Sequence, residues 1–263
     1  MNHLGWIRSV LYGGQDFLPG FLQMLPRIGS IPGLPFDPQF LASLGMIPNE
    51  YLFYYYHANQ AVENILRAGQ TRGELIAALN RELFDKLVRL SAHGDQAGML
   101  AAYQAYLEQR GQTYMANETG RAHDLAGLEP AMAEALSGEG YAGVALDLIE
   151  ALNGARPRQM ILNIPNQGAI QGMGDGDVVE ISAYVAHDLI HPLTVGSIPG
   201  HCLGLMQQVK AYEQLAIRAA VDGSYALAVK ALTLHPLVRD YSTARAILDG
   251  YIRRHGAIFP ALR

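Results

Sequence analysis

His3, Tyr114 four residues beyond Arg110, the pair His187 and His191, and the lone Cys202 are the side chains of this sequence whose types invite chemistry. Imidazole nitrogens and a thiolate bind transition metals, and a phenol beside a cation can serve as a base. Spacing alone commits none of them. No H-E-x-x-H or comparable cluster stands as a metal motif. His187 and His191 are four apart, but a strand-like run precedes them and Pro192 follows, so they do not share a helical face. His235, within Leu234-His235-Pro236-Leu237, reads as a helix end. By residue type alone His3 is an ordinary terminal histidine, Tyr114 a core tyrosine after an amphipathic helix, and Cys202 a small buried hydrophobe.

The elements that must position these groups follow from periodicity. Trp6 to Tyr12 predicts a strand leading into a tight turn at Gly13-Gly14. Phe17 to Leu25 has helical spacing, after which Pro26, Pro32, Pro35 and Pro38 predict a loop up to about Gln39. The aromatic run Tyr51-Leu52-Phe53-Tyr54-Tyr55-Tyr56 opens an amphipathic stretch ending near Leu66. Its tyrosines suit stacking on sugar rings, or equally an aromatic core or subunit interface. Thr71 and Glu74 form a capping-box pair, and Leu75, Leu79, Leu83 and Leu87 predict a helix after it. A second helix carries Leu100, Tyr103 and Leu107 and delivers the chain to Arg110. A helix from Tyr141 to Leu152 ends at Asn153-Gly154, a pair suited to a left-handed cap. Met160 to Ile164 predicts a buried strand and Val178 to Val185 another, with Gly172-Met173-Gly174-Asp175-Gly176 as turn chemistry between them. Helices built on Leu205 to Leu215, Tyr225 to Leu232 and Thr243 to Tyr251 complete the chain. Strands and helices do not alternate regularly, so the class is α+β, with no doubly wound sheet.

The 263 residues, 50% hydrophobic and 16% charged, suit one large domain over 1–263. A net charge of −5 without a long basic run leaves no footprint for nucleic acid or an anionic membrane. The single cysteine cannot form an internal disulfide, and no signal-peptide pattern opens the sequence, which predicts a cytoplasmic protein. No apolar run approaches the roughly 20 residues that span a bilayer. Neither G-x-G-x-x-G nor G-x-x-x-x-G-K-[ST] occurs where a phosphate site would need it.

Several segments, in order, resemble glycoside hydrolase family 4. Asn2-His3-Leu4 with Trp6-Ile7-Arg8 is similar to the family's N-H-L segment, which there lies mid-chain behind a nucleotide-binding half. Ile47-Pro48-Asn49-Glu50-Tyr51-Leu52 resembles its I-P-x-E-Y-L block, and Leu162-Asn163-Ile164-Pro165-Asn166 with Gly168-Ala169-Ile170 its N-V-P-N-x-G-x-I block. Tyr212-Glu213-Gln214-Leu215, Ala219-Ala220-Val221 and Ala231-Leu232 through His235-Pro236-Leu237 follow suit. The resemblance covers nearly the whole chain.

It implies the C-terminal domain of the lactate and malate dehydrogenase-like fold, with helices packed on a small, mostly antiparallel sheet. It also implies a glycosidase that works by redox, elimination and addition, using NAD and a divalent metal, usually manganese, in place of the usual carboxylate pair. By that resemblance His3 is a metal ligand, Asn2 and Arg110 belong to the substrate site, and Tyr114, in a Tyr-Met variant of the family's R-G-G-x-x-Y-S segment, is the base. The Arg110–Tyr114 spacing is one residue shorter than the common form. A phenol with its ordinary pKa near 10 is a poor base at neutral pH, so a metal or a guanidinium must favour its phenolate. The family's metal-binding cysteine, in a C-N-x-P motif, has no counterpart here. The expected partners are therefore a Rossmann-type NAD-binding subunit, a phosphorylated sugar glycoside, with 6-phospho-β-glucosides favoured, and further copies of this chain. The alternative readings are a non-catalytic oligomerisation module or remnant, or a fragment of a longer chain.

Overall fold

The computed structural model describes residues 4–29, 34–120 and 141–263. They form two compact units, one from residues up to 120 and one from 141 onward.

In the first unit, β1 (Trp6–Ile7) pairs antiparallel with β4 (Ile47–Pro48), with Trp6 opposite Pro48. Asn49 N–H donates to the Gly5 carbonyl at 2.8 Å, so the opening segment lies along the one that carries Glu50 and Tyr51. The expected strand is split: its second part, β2 (Leu11–Tyr12), forms a hairpin with β3 (Gln15–Asp16). The turn between them needs two left-handed residues, and Gly13 and Gly14 supply φ of 56° and 80°. A helix over Leu18–Ile28 continues through Pro26, which sits in its last turn. The next helix, Pro38–Leu44, begins on a proline whose missing N–H costs nothing there, and Asp37 caps it. Leu18, Leu22, Leu25, Phe36, Leu41, Leu52 and Phe53 make the buried core. Part of the aromatic run belongs to it: Phe53 stacks on His57, with ring centroids 5.0 Å apart, and Phe36 lies 6.1 Å from Phe53.

A helical hairpin follows the helix Ala58–Ala68. Thr71 and Glu74 complete the capping box at the start of Arg72–Ala92, and Asp95 caps Gln96–Gln112 after a turn through Gly94. The three-residue connection folds the second helix back on the first, returning Arg110 and Thr113 to the side of Arg72.

In the second unit, β5 (Arg158–Pro165), β6 (Val178–Ala186) and β7 (Leu189–Pro192) form one antiparallel sheet in sequence order. Burial alternates along β6, with Val179, Ile181, Ala183 and Val185 inside. β5, expected to be buried throughout, is covered on one face only, and Ile161 remains 65% exposed. Ala169, Ile170, Met173, Val179 and Ile181 form a core against Leu203 and Met206 of the long helix Gly200–Asp222. The helices Tyr225–Leu234 and Tyr241–His255 pack through Val229, Ala244 and Leu248. Gly154 takes φ of 82° after the helix Tyr141–Leu152, as the Asn-Gly pair predicts.

Candidate functional site

The polar cluster around Tyr114 is built where the hairpin closes. The helix Gln96–Gln112 stops two residues short of Tyr114, and Tyr114 N–H bonds back to the Gly111 carbonyl at 2.9 Å. Met115 then adopts φ 52° and ψ 12°, a left-handed conformation that costs a residue with a Cβ roughly 1 kcal/mol, yet its side chain is buried. A single helical turn, Ala116–Thr119, follows. Asn64 Nδ2 donates to the Glu118 carbonyl at 3.0 Å, and Asn117 Nδ2 to the Gln70 carbonyl at 3.0 Å, which hold the turn in place. Gly120 ends it at φ 66°, where a Cβ would meet Asn64 Nδ2 at 3.2 Å.

Tyr114 is half-buried, and its hydroxyl donates to Glu50 Oε1 over 3.4 Å, a long hydrogen bond. Its ring meets Tyr51 edge-on, with centroids 5.9 Å apart. The Arg72 guanidinium stands 5.4 Å from the Tyr114 ring centroid, held by Nη1 to Thr113 Oγ1 at 3.1 Å and Nη2 to the Arg110 carbonyl at 3.2 Å. Burial first, then the hydrogen bond and charge of Tyr51 and Glu50, push the Tyr114 phenol far above its ordinary range. The Tyr54 phenol is pushed up to about 12 by burial and by the Glu118 carboxylate, which shares a hydrogen bond with it, while Arg72 pulls the other way. Glu118 is only 5% exposed, and its Oε2 is buried without a hydrogen-bond partner. A buried polar oxygen without a partner costs on the order of 1–3 kcal/mol.

The residues expected from the sequence fare differently. Asn2 and His3 lie outside the described residues. Tyr114 is at the centre of the cluster. Arg110 is on the hairpin: its Nη1 donates to Tyr106 Oη at 3.2 Å, and Tyr106 donates to Asn80 Oδ1 at 2.7 Å. The cation over Tyr114 is Arg72. Four-residue spacing brings side chains together only along a continuous helix, and this one ends between Arg110 and Tyr114. Tyr54 belongs to the aromatic run read from the sequence, whereas Arg72, Glu50 and Glu118 carry no site signal there. Their contacts join positions up to 64 apart in sequence, and Arg72 and Glu50 were visible only as a cap neighbour and as part of the I-P-x-E-Y-L block.

Among the described residues, no group of three or more His, Cys, Asp or Glu side chains could hold a metal ion. His191 sits in β7, paired with Tyr184, and His187 lies beyond the end of β6, so the two are not helical neighbours. Cys202 is buried in a helix, and His235 caps another, with its imidazole pKa lowered by burial. No helix among the described residues is long and apolar enough to cross a membrane. The cluster offers parts of a proton transfer: two phenols, each hydrogen-bonded to a carboxylate, beside a fixed cation.

The sequence model of the family 4 glycosyl hydrolase C-terminal domain matches residues 1–238. A probable 6-phospho-beta-glucosidase of Bacillus subtilis (strain 168) is 30% identical over 234 residues, a match covering 88% of this chain and 45% of that protein. The structure of the 6-phospho-beta-glucosidase from Thermotoga maritima with NAD and glucose-6-phosphate is similar with a TM-score of 0.70 at 27% identity, covering 100% of this chain and 54% of that one. The same enzyme with manganese, NAD+ and glucose-6-phosphate gives a TM-score of 0.67 at 25% identity, covering 100% and 54%. This chain spans about half the length of the curated relatives it matches. The expected α+β class agrees with these structures.

Proposed function

Because this chain belongs to family 4 of the glycosyl hydrolases, as its C-terminal domain, we propose that it is the C-terminal half of an NAD- and divalent-metal-dependent glycosidase acting on 6-phosphoglycosides. Its chemistry is redox, elimination and addition, and 6-phospho-β-glucosides are the favoured substrates. The NAD site and the metal cysteine are supplied in trans by a Rossmann-type subunit, and the assembly is cytoplasmic and homo-oligomeric in this chain. Three observations support the assignment: the family match across residues 1–238, the relatives' names, and the NAD, manganese and glucose-6-phosphate named with the Thermotoga enzyme.

The observation that carries the catalytic part is the Tyr114 hydroxyl aimed at Glu50 within the cluster. Burial and Glu50 keep Tyr114 a neutral phenol, so it is not a standing phenolate. It acts instead as a relay: as its oxygen takes a proton from the substrate carbon, its own proton passes to Glu50. Arg72, across the ring, steadies the charge that develops and is the cation suited to an anionic sugar phosphate. Arg110 contributes through its carbonyl, which fixes Arg72, and Asn2 contacts the sugar. NAD supplies hydride acceptance when it is bound, from the other half. His3 is the ligand proposed from this chain for the divalent metal, which would polarise the sugar oxygen as a Lewis acid.

The test is affinity capture of this chain with intact-mass identification of what accompanies it, then assay of the pair. A stoichiometric Rossmann-type chain, cleavage of a 6-phosphoglucoside that requires NAD and manganese, and exchange of a C2 deuterium label with water are expected. Cleavage that proceeds without NAD would contradict the mechanism. Recovery of this chain as a homo-oligomer alone would favour an oligomerisation module.

A further inference from the structure

The mechanism above leaves Glu118 without a task, although it is the most unusual carboxylate among the described residues. It is 95% removed from solvent, its Oε2 has no hydrogen-bond partner, and its backbone is pinned by Asn64 three residues after the strained Met115. A carboxylate that only supported the fold would have both oxygens paired, because an unpaired buried charge works against folding. Its neighbouring phenol is Tyr54, and the groups facing Tyr54 are Glu118, Arg72 and Tyr51. The arrangement repeats that of Tyr114 and Glu50, a phenol donating to a carboxylate, with Arg72 acting on both tyrosines.

We propose that Tyr54 and Glu118 form a second proton-accepting couple of this site, with Glu118 the terminal acceptor for a proton leaving a sugar hydroxyl. The sugar O–H bond breaks and a new O–H bond forms on Tyr54. The original Tyr54 proton moves to Glu118, and the electron pair stays on the sugar oxygen. One negative charge is thereby transferred from the carboxylate to that oxygen. This inference rests on the glycosidase reading for its substrate, but the couple itself does not.

The isosteric change Glu118→Gln keeps an acceptor for the Tyr54 hydroxyl and removes the proton sink. In the complemented two-chain enzyme kcat is expected to fall about 100-fold with KM within about twofold, and Tyr54→Phe should do the same. The melting temperature of Glu118→Gln should be unchanged or higher, because an unpaired charge is gone. Wild-type kcat in Glu118→Gln, or loss of its fold, would overturn the proposal. Ultraviolet titration of tyrosinate in this chain alone separates the two claims. Tyr54→Phe should remove a late-titrating phenol, and Glu118→Gln should bring that phenol back toward its ordinary range; an unaltered titration in both would overturn the couple. A wild-type pair that cleaves no phosphoglycoside would overturn the glycosidase reading, leaving the titration to decide the couple.

Discussion

Two polar side chains are buried among the described residues, one in each unit, and they are treated in opposite ways. Asn166, fully buried in the second unit, has its carboxamide satisfied: Oδ1 accepts from Ile170 N–H at 2.7 Å, and Nδ2 donates to the Ile170 and Met173 carbonyls at 3.2 and 3.1 Å. It ties the Gly/Asp loop between β5 and β6 into a single shape. Glu118, in the first unit, has an unpaired oxygen and follows a strained residue. The fully bonded Asn166 serves the fold, whereas the partly unbonded Glu118 is the group assigned above to chemistry.

Asn166→Ala should take their partner from the Ile170 N–H and the Met173 carbonyl and cost roughly 4 kcal/mol, since each buried orphan costs about 1–3 kcal/mol; urea unfolding measures it, and a loss under about 1 kcal/mol would remove the contrast with Glu118. Tyr114→Phe should lower kcat of the complemented enzyme by about 10²–10⁴-fold with little change in stability. A mutant of normal rate would return Tyr114 to the core.

How much of this was legible beforehand differs between the units. Short-range chemistry could be read directly: Thr71 with Glu74, Gly13-Gly14 and Asn153-Gly154 each act within a few residues, and each forms as its residue types require. The order of family blocks identified the fold. The make-up of the cluster could not be read, because Glu50, Arg72 and Glu118 reach the tyrosines only after the hairpin closes. Arg110 drew attention by being near Tyr114 in sequence, but its side chain follows the helix toward Tyr106. The satisfied Asn166 network is local, reaching seven residues along the chain, and starts within the family's N-V-P-N-x-G-x-I block.

Smaller effects sharpen the contrast. Folded Tyr54 holds its proton up to about pH 12, while its ordinary value is 10.0, and Tyr114 is shifted the same way. The folded state therefore binds protons that the unfolded state has already released. Stability from this source is complete below about pH 10 and lost as pH rises toward 12, and Tyr54→Phe should flatten that alkaline loss when melting temperature is followed against pH. Thr71→Ala, which removes an exposed helix cap, should cost only about 1 kcal/mol in the same unfolding experiment and leave kcat unchanged.

The redox-elimination mechanism is tested by hydrolysis of a chromogenic 6-phospho-β-glucoside by this chain together with a Rossmann-type family 4 half, in manganese, with and without NAD, for wild type and Tyr114→Phe. It predicts cleavage only by the wild-type pair and only with NAD. Equal cleavage by Tyr114→Phe, or turnover without NAD, would contradict it.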